Sequence, residues 1–252
     1  MPPKKLGEIK GPFIVWLFIT LYFVIGNVFG GSSKGALPSD VTVSLVVNLL
    51  VGMAIGWGVI IAFFVIFLAV WERRRPLREI FSNVGLRRKG SVKSVLWGVA
   101  LFPLLIVIGL IMQMLSSFLG QIPSAASNNG QIPVWYLWYM VIHSFFPVAI
   151  VEEAVARGYM LDRLMPQHPS SVPKALPAVL LSSLLFTLWH VPSYLMSYSF
   201  STPLVVGILA GNVFPISVVL SIAYVRARTR NIIGLVLTHF LLDAAPIILL
   251  LA

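Results

Sequence analysis

The chain contains no cysteine. Disulfides, thiolate metal sites and a cysteine nucleophile are therefore excluded from its chemistry. Charge is scarce as well: 10% of the 252 residues are Asp, Glu, Lys or Arg, against about 25% in an ordinary soluble domain. Acidic residues are the scarcer sign, 8 against 18 Lys and Arg, so each carboxylate inside an apolar run needs a physical reason. Polar connections are few, and the one of any size is the loop 72–93. What remains is 58% hydrophobic. That composition describes an all-α polytopic membrane helix bundle, with no room for a second sizeable soluble domain.

A transmembrane helix needs about 20 mostly apolar residues, and seven segments qualify: roughly 13–31, 41–71, 92–119, 132–161, 175–196, 203–225 and 232–251. The second is long and carries Gly52, Gly56 and Gly58; it is expected to tilt, to extend beyond the bilayer, or to break there and raise the count to eight. The first apolar run exceeds a signal-peptide core and no A-x-A-like site closes it, so it is read as a span. The organisation expected is a region 1–131 of N-terminal helices with a basic loop, then a core over 132–252.

Basic residues set the orientation, because cytoplasmic loops retain Lys and Arg. With the N-terminus inside, the cytoplasmic segments hold Lys4, Lys5 and Lys10, the eight basic residues from Arg73 to Lys93, then Arg157, Arg163 and Lys174, then Arg226, Arg228 and Arg230. Only Lys34 falls outside. The net charge of +10 is thus a topology signal with attraction to anionic membrane lipids. Spread over several juxtamembrane loops, it does not form a nucleic-acid surface.

Two glycine patterns have bland readings. "GSSKG" at 31–35 matches G-x-S-x-G but lacks the strand–turn–helix context of a nucleophile elbow. "GMAIG" (52–56) and "GILAG" (207–211) match G-x-x-x-G and are expected to pack helices closely.

The polar residues inside the apolar runs are more informative. "FFPVAIVEEAVARGYMLDRLM" (145–165) holds Glu152, Glu153 and Arg157. Buried in hydrocarbon without compensation, these three would cost about 8–10 kcal/mol. The alternative is a fourth span that ends near Val151 and leaves them at the interface. Two more spans shift the balance, however: "LLFTLWHVPSY" carries His190 four residues after Phe186, and "LVLTHFLLDAAP" carries His239 four residues before Asp243. At about 1.5 Å per residue from the cytoplasmic ends, Glu152 lies about 18 Å deep, His190 about 20 Å and His239 about 12 Å. Such depths let the three meet in one cavity open to the cytosol.

Helical angles divide the roles. Glu153 and Arg157 are an i, i+4 pair that can neutralise itself, which leaves Glu152, about 100° away, as an unpaired carboxylate. His239 and Asp243 likewise share a face. Glu152, His190, His239 and Asp243 then form either a base-and-donor set for hydrolysis or a ligand set for a divalent metal such as zinc. His143 is read as packing, His168 as a loop residue, and Arg226, Arg228 and Arg230 as interfacial anchors.

"EEAVAR", "FTLWH" and "HFLLD" resemble, in order and character, the E-E-x-x-x-R, F-x-x-x-H and H-x-x-x-N/D motifs of the CAAX protease and bacteriocin-processing (CPBP) family, which includes the type II CAAX prenyl endopeptidases. The resemblance covers roughly 132–251. It implies an intramembrane endopeptidase in which Glu152 and His190 activate water, His239 and residue 243 stabilise the oxyanion, and Glu153 and Arg157 shape the site. It also implies a mechanism without a metal cofactor. Many members carry Asn where this chain has Asp243; an ionised Asp cannot donate a hydrogen bond, so Asp243 is expected to orient His239. The expected partner is a membrane-associated peptide or protein, prenylated or not. The rival readings are a proton-coupled transporter, since intramembrane Glu, His and Asp also mark such pathways, and a non-catalytic immunity or scaffold protein.

Overall fold

The computed structural model describes residues 6–29, 43–71, 77–118, 133–166, 171–197 and 202–249. All elements among these residues are helices: α1 (Leu6–Phe29), α2 (Val43–Val70), the short α3 (Leu77–Asn83), α4 (Ser91–Phe118), α5 (Val134–Leu164), α6 (Val172–Trp189), α7 (Val191–Ser197), α8 (202–227) and α9 (Ile233–Leu249). Helices satisfy their backbone polar groups internally, which is what a chain in hydrocarbon requires. Among the described residues, five helices are long and apolar enough to cross a membrane: Val47–Val70, Ser91–Ile111, Val134–Leu164, Val172–Met196 and Val205–Ala227. Lys10–Ile25 and Ile233–Ile248 are shorter apolar helices at the first and last of the seven segments expected from the sequence. The "GSSKG" loop, Lys4, Lys5, Arg73 to Arg75, His168 and nearly all of the 120–133 loop lie outside the described residues.

Apolar side chains cover the outside of the bundle. Ile55 and Ile66 on α2, Leu96, Leu110 and Ile111 on α4 and Phe146 on α5 are all more than half exposed, an arrangement that suits contact with lipid. Inside, one core draws on both halves of the chain: Ile60, Phe64 and Leu68 of α2 pack with Val155 and Tyr159 of α5, Val179 of α6 and Leu220 of α8. Phe64 and Phe67 each meet the Tyr159 ring edge-on, at 5.5 and 5.9 Å.

Close helix contacts do not fall where G-x-x-x-G in α2 suggested. α2 runs unbroken through its glycines; a Cβ at Gly52 or Gly58 would meet nothing among the described residues, and one at Gly56 only the Tyr22 hydroxyl at 3.5 Å. The tight approaches are elsewhere. A Cβ at Gly158 would run into the Val84 carbonyl, and one at Gly234 into the Ser94 carbonyl. Gly234 and Gly98 thus let α4 and α9 cross almost backbone to backbone.

The polar loop 72–93 contains more structure than its composition suggested. α3 occupies part of it, and the turn 84–90 docks on the turn 228–232. Ile232 N–H donates to Gly85 O (3.1 Å) and the Arg87 guanidinium to Arg230 O. Asn231, 2% exposed, donates to the Arg87 and Lys89 carbonyls and accepts from Ile233 N–H. Asp162, near the end of α5, pairs with Arg230 at 3.3 Å. The starts of α4 and α9 and the ends of α5 and α8 therefore lie at one end of the bundle, together with most of the described basic residues.

Candidate active site

Glu152 and Glu153 lie on one α-helical turn of α5, Ile150–Glu153, between two π-helical stretches, Ser144–Ala149 and Ala154–Leu161. Pro147 lies in the first stretch and has no N–H to give to the preceding turn, so a regular ladder is interrupted there. Sequence periodicity does not reveal such stretches, which concentrate at functional sites. Both carboxylates are buried within the protein, Glu153 completely, and the helix continues past them to Leu164.

The two neighbours face different partners. One oxygen of Glu153, Oε1, accepts from Arg157 Nη1 and from His239 Nδ1, each at 2.8 Å. Arg157 also donates through Nη2 to Ser217 Oγ at 2.7 Å and Ser217 O at 3.1 Å on α8, and lies 4.6 Å from the Phe186 ring centre. The i, i+4 pair is therefore one part of a wider buried network linking α5, α6, α8 and α9. A buried charge left alone is costly, and this network gives both ions hydrogen-bonding partners.

Glu152 points into a cavity of about 330 Å³ lined also by His190, His239, Asp243, Tyr194 and Asn212, with Val148, Phe186 and Leu242 among its apolar walls. Its Oε2 lies 3.7 Å from His190 Nε2 and 3.8 Å from His239 Nε2. Both gaps exceed a direct hydrogen bond. One water can touch the carboxylate and an imidazole together.

The geometry of His190 explains its spacing from Phe186. Pro192 cannot donate to Leu188, and α6 stops at Trp189. His190 N–H turns to Thr187 O, and His190 Nδ1 donates to Phe186 O at 2.8 Å. With the proton on Nδ1, a neutral His190 presents a lone pair at Nε2 to the cavity.

Asp243 Oδ2 lies 3.5 Å from His239 Nε2 and the residue is 37% exposed in its side chain, whereas Glu153 holds Nδ1 of the same ring at 2.8 Å with no exposure. The buried contact that sets the His239 ring is therefore with Glu153, and Asp243 stands at the open side of the cavity. Sequence reasoning assigned the orienting role to Asp243 because an ionised Asp on the face of His239 can only accept; the shorter contact to the ring comes from another helix. It also missed Ser217, Asn212 and Tyr194, which carry no motif. His143 lies outside the cluster: it accepts from Trp57 Nε1 at 3.1 Å and stacks on Tyr139.

Among the described residues, no group of three or more His, Asp or Glu side chains converges at metal–ligand distances.

An all-helical bundle with membrane-length apolar helices and a buried carboxylate–imidazole cavity defines an integral membrane protein built around a polar site. Residues 133–245 match the family model described as type II CAAX prenyl endopeptidase Rce1-like. The match holds all three motifs, from Glu152 to Asp243. No curated protein and no solved structure matches the chain.

Proposed function

We propose that the protein is an intramembrane endopeptidase that hydrolyses membrane-associated peptides with Glu152 as general base. The observation that carries this reading is the position of Glu152 Oε2, within 4 Å of Nε2 of both His190 and His239 in one cavity. A water held there donates one hydrogen to Glu152 and the other to the His190 lone pair, which aims its own lone pair at a scissile carbonyl. Glu152 takes the proton as the oxygen–carbon bond forms. His239, protonated at both nitrogens and balanced by Glu153, donates Nε2–H to the oxygen on which charge develops. Collapse breaks the carbon–nitrogen bond, and Glu152 returns its proton to the leaving amine. Glu153, Arg157 and Ser217 hold the frame, and Asp243 stands beside His239 Nε2.

The bundle is read as seven spans with the N-terminus cytoplasmic and the cavity served from that side, on the strength of the basic residues gathered at the Arg87–Arg230 end. The matched family's description makes a prenylated C-terminal peptide the first substrate to try. The test uses purified protein in detergent micelles and an internally quenched peptide carrying a farnesylated cysteine followed by three residues, with its unprenylated counterpart alongside. Wild type is expected to cut at least one of them. Glu152→Gln is expected to lose activity by about 10²- to 10⁴-fold, the range for removing a general base. Equal cleavage by wild type and a folded Glu152→Gln would refute the assignment.

A further inference from the structure

The cavity is rich in acceptors. Glu152 and Asp243 contribute carboxylate oxygens, and neutral His190 contributes a lone pair because its Nδ1–H is given to Phe186 O. A tetrahedral intermediate needs the opposite, donors directed at the former carbonyl oxygen. His239 Nε2 donates only when the ring is doubly protonated, and Asp243 only as the neutral acid. A single oxyanion donor that depends on its own protonation is a weak provision for this step.

One carboxamide lines the same cavity: Asn212. Its two N–H bonds donate in every protonation state. It lies on α8 within the apolar stretch Val205–Ala227, in the π-helical segment Leu209–Val213. The side chain is exposed and makes no hydrogen bond to the described residues. An amide in an apolar helix without a protein partner costs free energy unless water or a bound molecule satisfies it. The π stretches of α5 border the same cavity through Val148 and Arg157. Irregular turns on two helices therefore open onto one space, and the one on α8 carries its only carboxamide among the described residues.

We propose that Asn212 donates a hydrogen bond from Nδ2 to the oxyanion, together with His239, so that α8 and α9 each supply one donor. This rests on the peptidase reading given above. Because the bond forms as charge develops on the oxygen, it strengthens the transition state more than the bound substrate.

The test is steady-state cleavage of whichever quenched peptide wild type cuts, in the same micelles, by wild type, Glu152→Gln, Asn212→Leu and Asn212→Asp. Asn212→Asp keeps the shape while removing the donor, so it decides the matter if the Leu variant does not fold. Thermal unfolding monitored in parallel identifies any variant that has lost its structure. The expected result is a fall in kcat and kcat/KM together, by about 10²- to 10³-fold, with KM within about threefold of wild type. A folded Asn212→Asp with kcat near that of wild type, or a loss confined to KM, overturns the assignment of Asn212 and leaves the peptidase reading standing provided Glu152→Gln is inactive. Cleavage that survives Glu152→Gln overturns both.

Discussion

Glu153 offers the sharpest test of how the site is held together. Its Oε1 accepts from both Arg157 and His239 at 2.8 Å, while its buried Oε2 has no hydrogen-bond partner among the described residues. Glu153→Gln can therefore keep the amide oxygen where Oε1 stands and put the amide nitrogen in the place of Oε2. Geometry is preserved and only the charge is lost. Glu153→Leu removes charge and acceptor together. Arg157 would retain Ser217 and the Phe186 face, but His239 Nδ1 would lose its buried acceptor. Breaking a buried ion pair from one side costs about 3–5 kcal/mol, which corresponds to a fall in Tm of about 6–20 °C for a chain of this size. Glu153→Gln should cost less, about 1–3 kcal/mol for an amide group left unsatisfied, yet it withdraws the negative charge that balances the His239 imidazolium. The expected pattern is a folded Glu153→Gln with kcat reduced about 10²-fold or more and KM little changed, beside a strongly destabilised Glu153→Leu. Thermal unfolding in micelles and peptide cleavage measure the two effects separately. A Glu153→Leu protein less than about 1 kcal/mol below wild type, or a Glu153→Gln protein with wild-type kcat, would refute this account of the network.

Gly158→Ala should be destabilising by about 1–3 kcal/mol, since its Cβ would meet the Val84 backbone carbonyl, whereas Gly52→Ala, with nothing near its Cβ, should raise stability by up to about 1 kcal/mol; unfolding curves for the pair test opposite signs of one substitution. Asn231→Leu leaves two carbonyls and one N–H without partners and should cost about 2–4 kcal/mol, with faster amide exchange at Ile232 and Ile233 as the local readout. For topology, the absence of native cysteine allows single-cysteine labelling. Cysteines at Lys89 and Arg228 should both react from the cytoplasmic side and one at Val134 from the opposite side; a Val134 label acquired from the cytoplasm would overturn the proposed orientation.

The sequence alone determined where the helices lie. Apolar runs of membrane length are a local property, and among the described residues the seven segments coincide with helices to within a few residues, apart from the start of α1 at Leu6 and the break at His190 in the fifth, while the short α3 was not foreseen. It also determined which polar groups stand out, because an ionisable side chain in an apolar run is conspicuous without any partner, and helical spacing was enough to pair Glu153 with Arg157 and separate Glu152 from both. Only the tertiary structure decided which groups meet across helices. That Glu153 holds His239, that Ser217 anchors Arg157, that Asn212 shares the cavity and that the 84–90 turn docks on 228–232 depend on how faces from distant segments rotate and approach. No period along the chain encodes those rotations. They are set by backbone contacts such as Gly158 on Val84 and Gly234 on Ser94, and by the π-helical turns that shift the phase of α5 on either side of its two carboxylates.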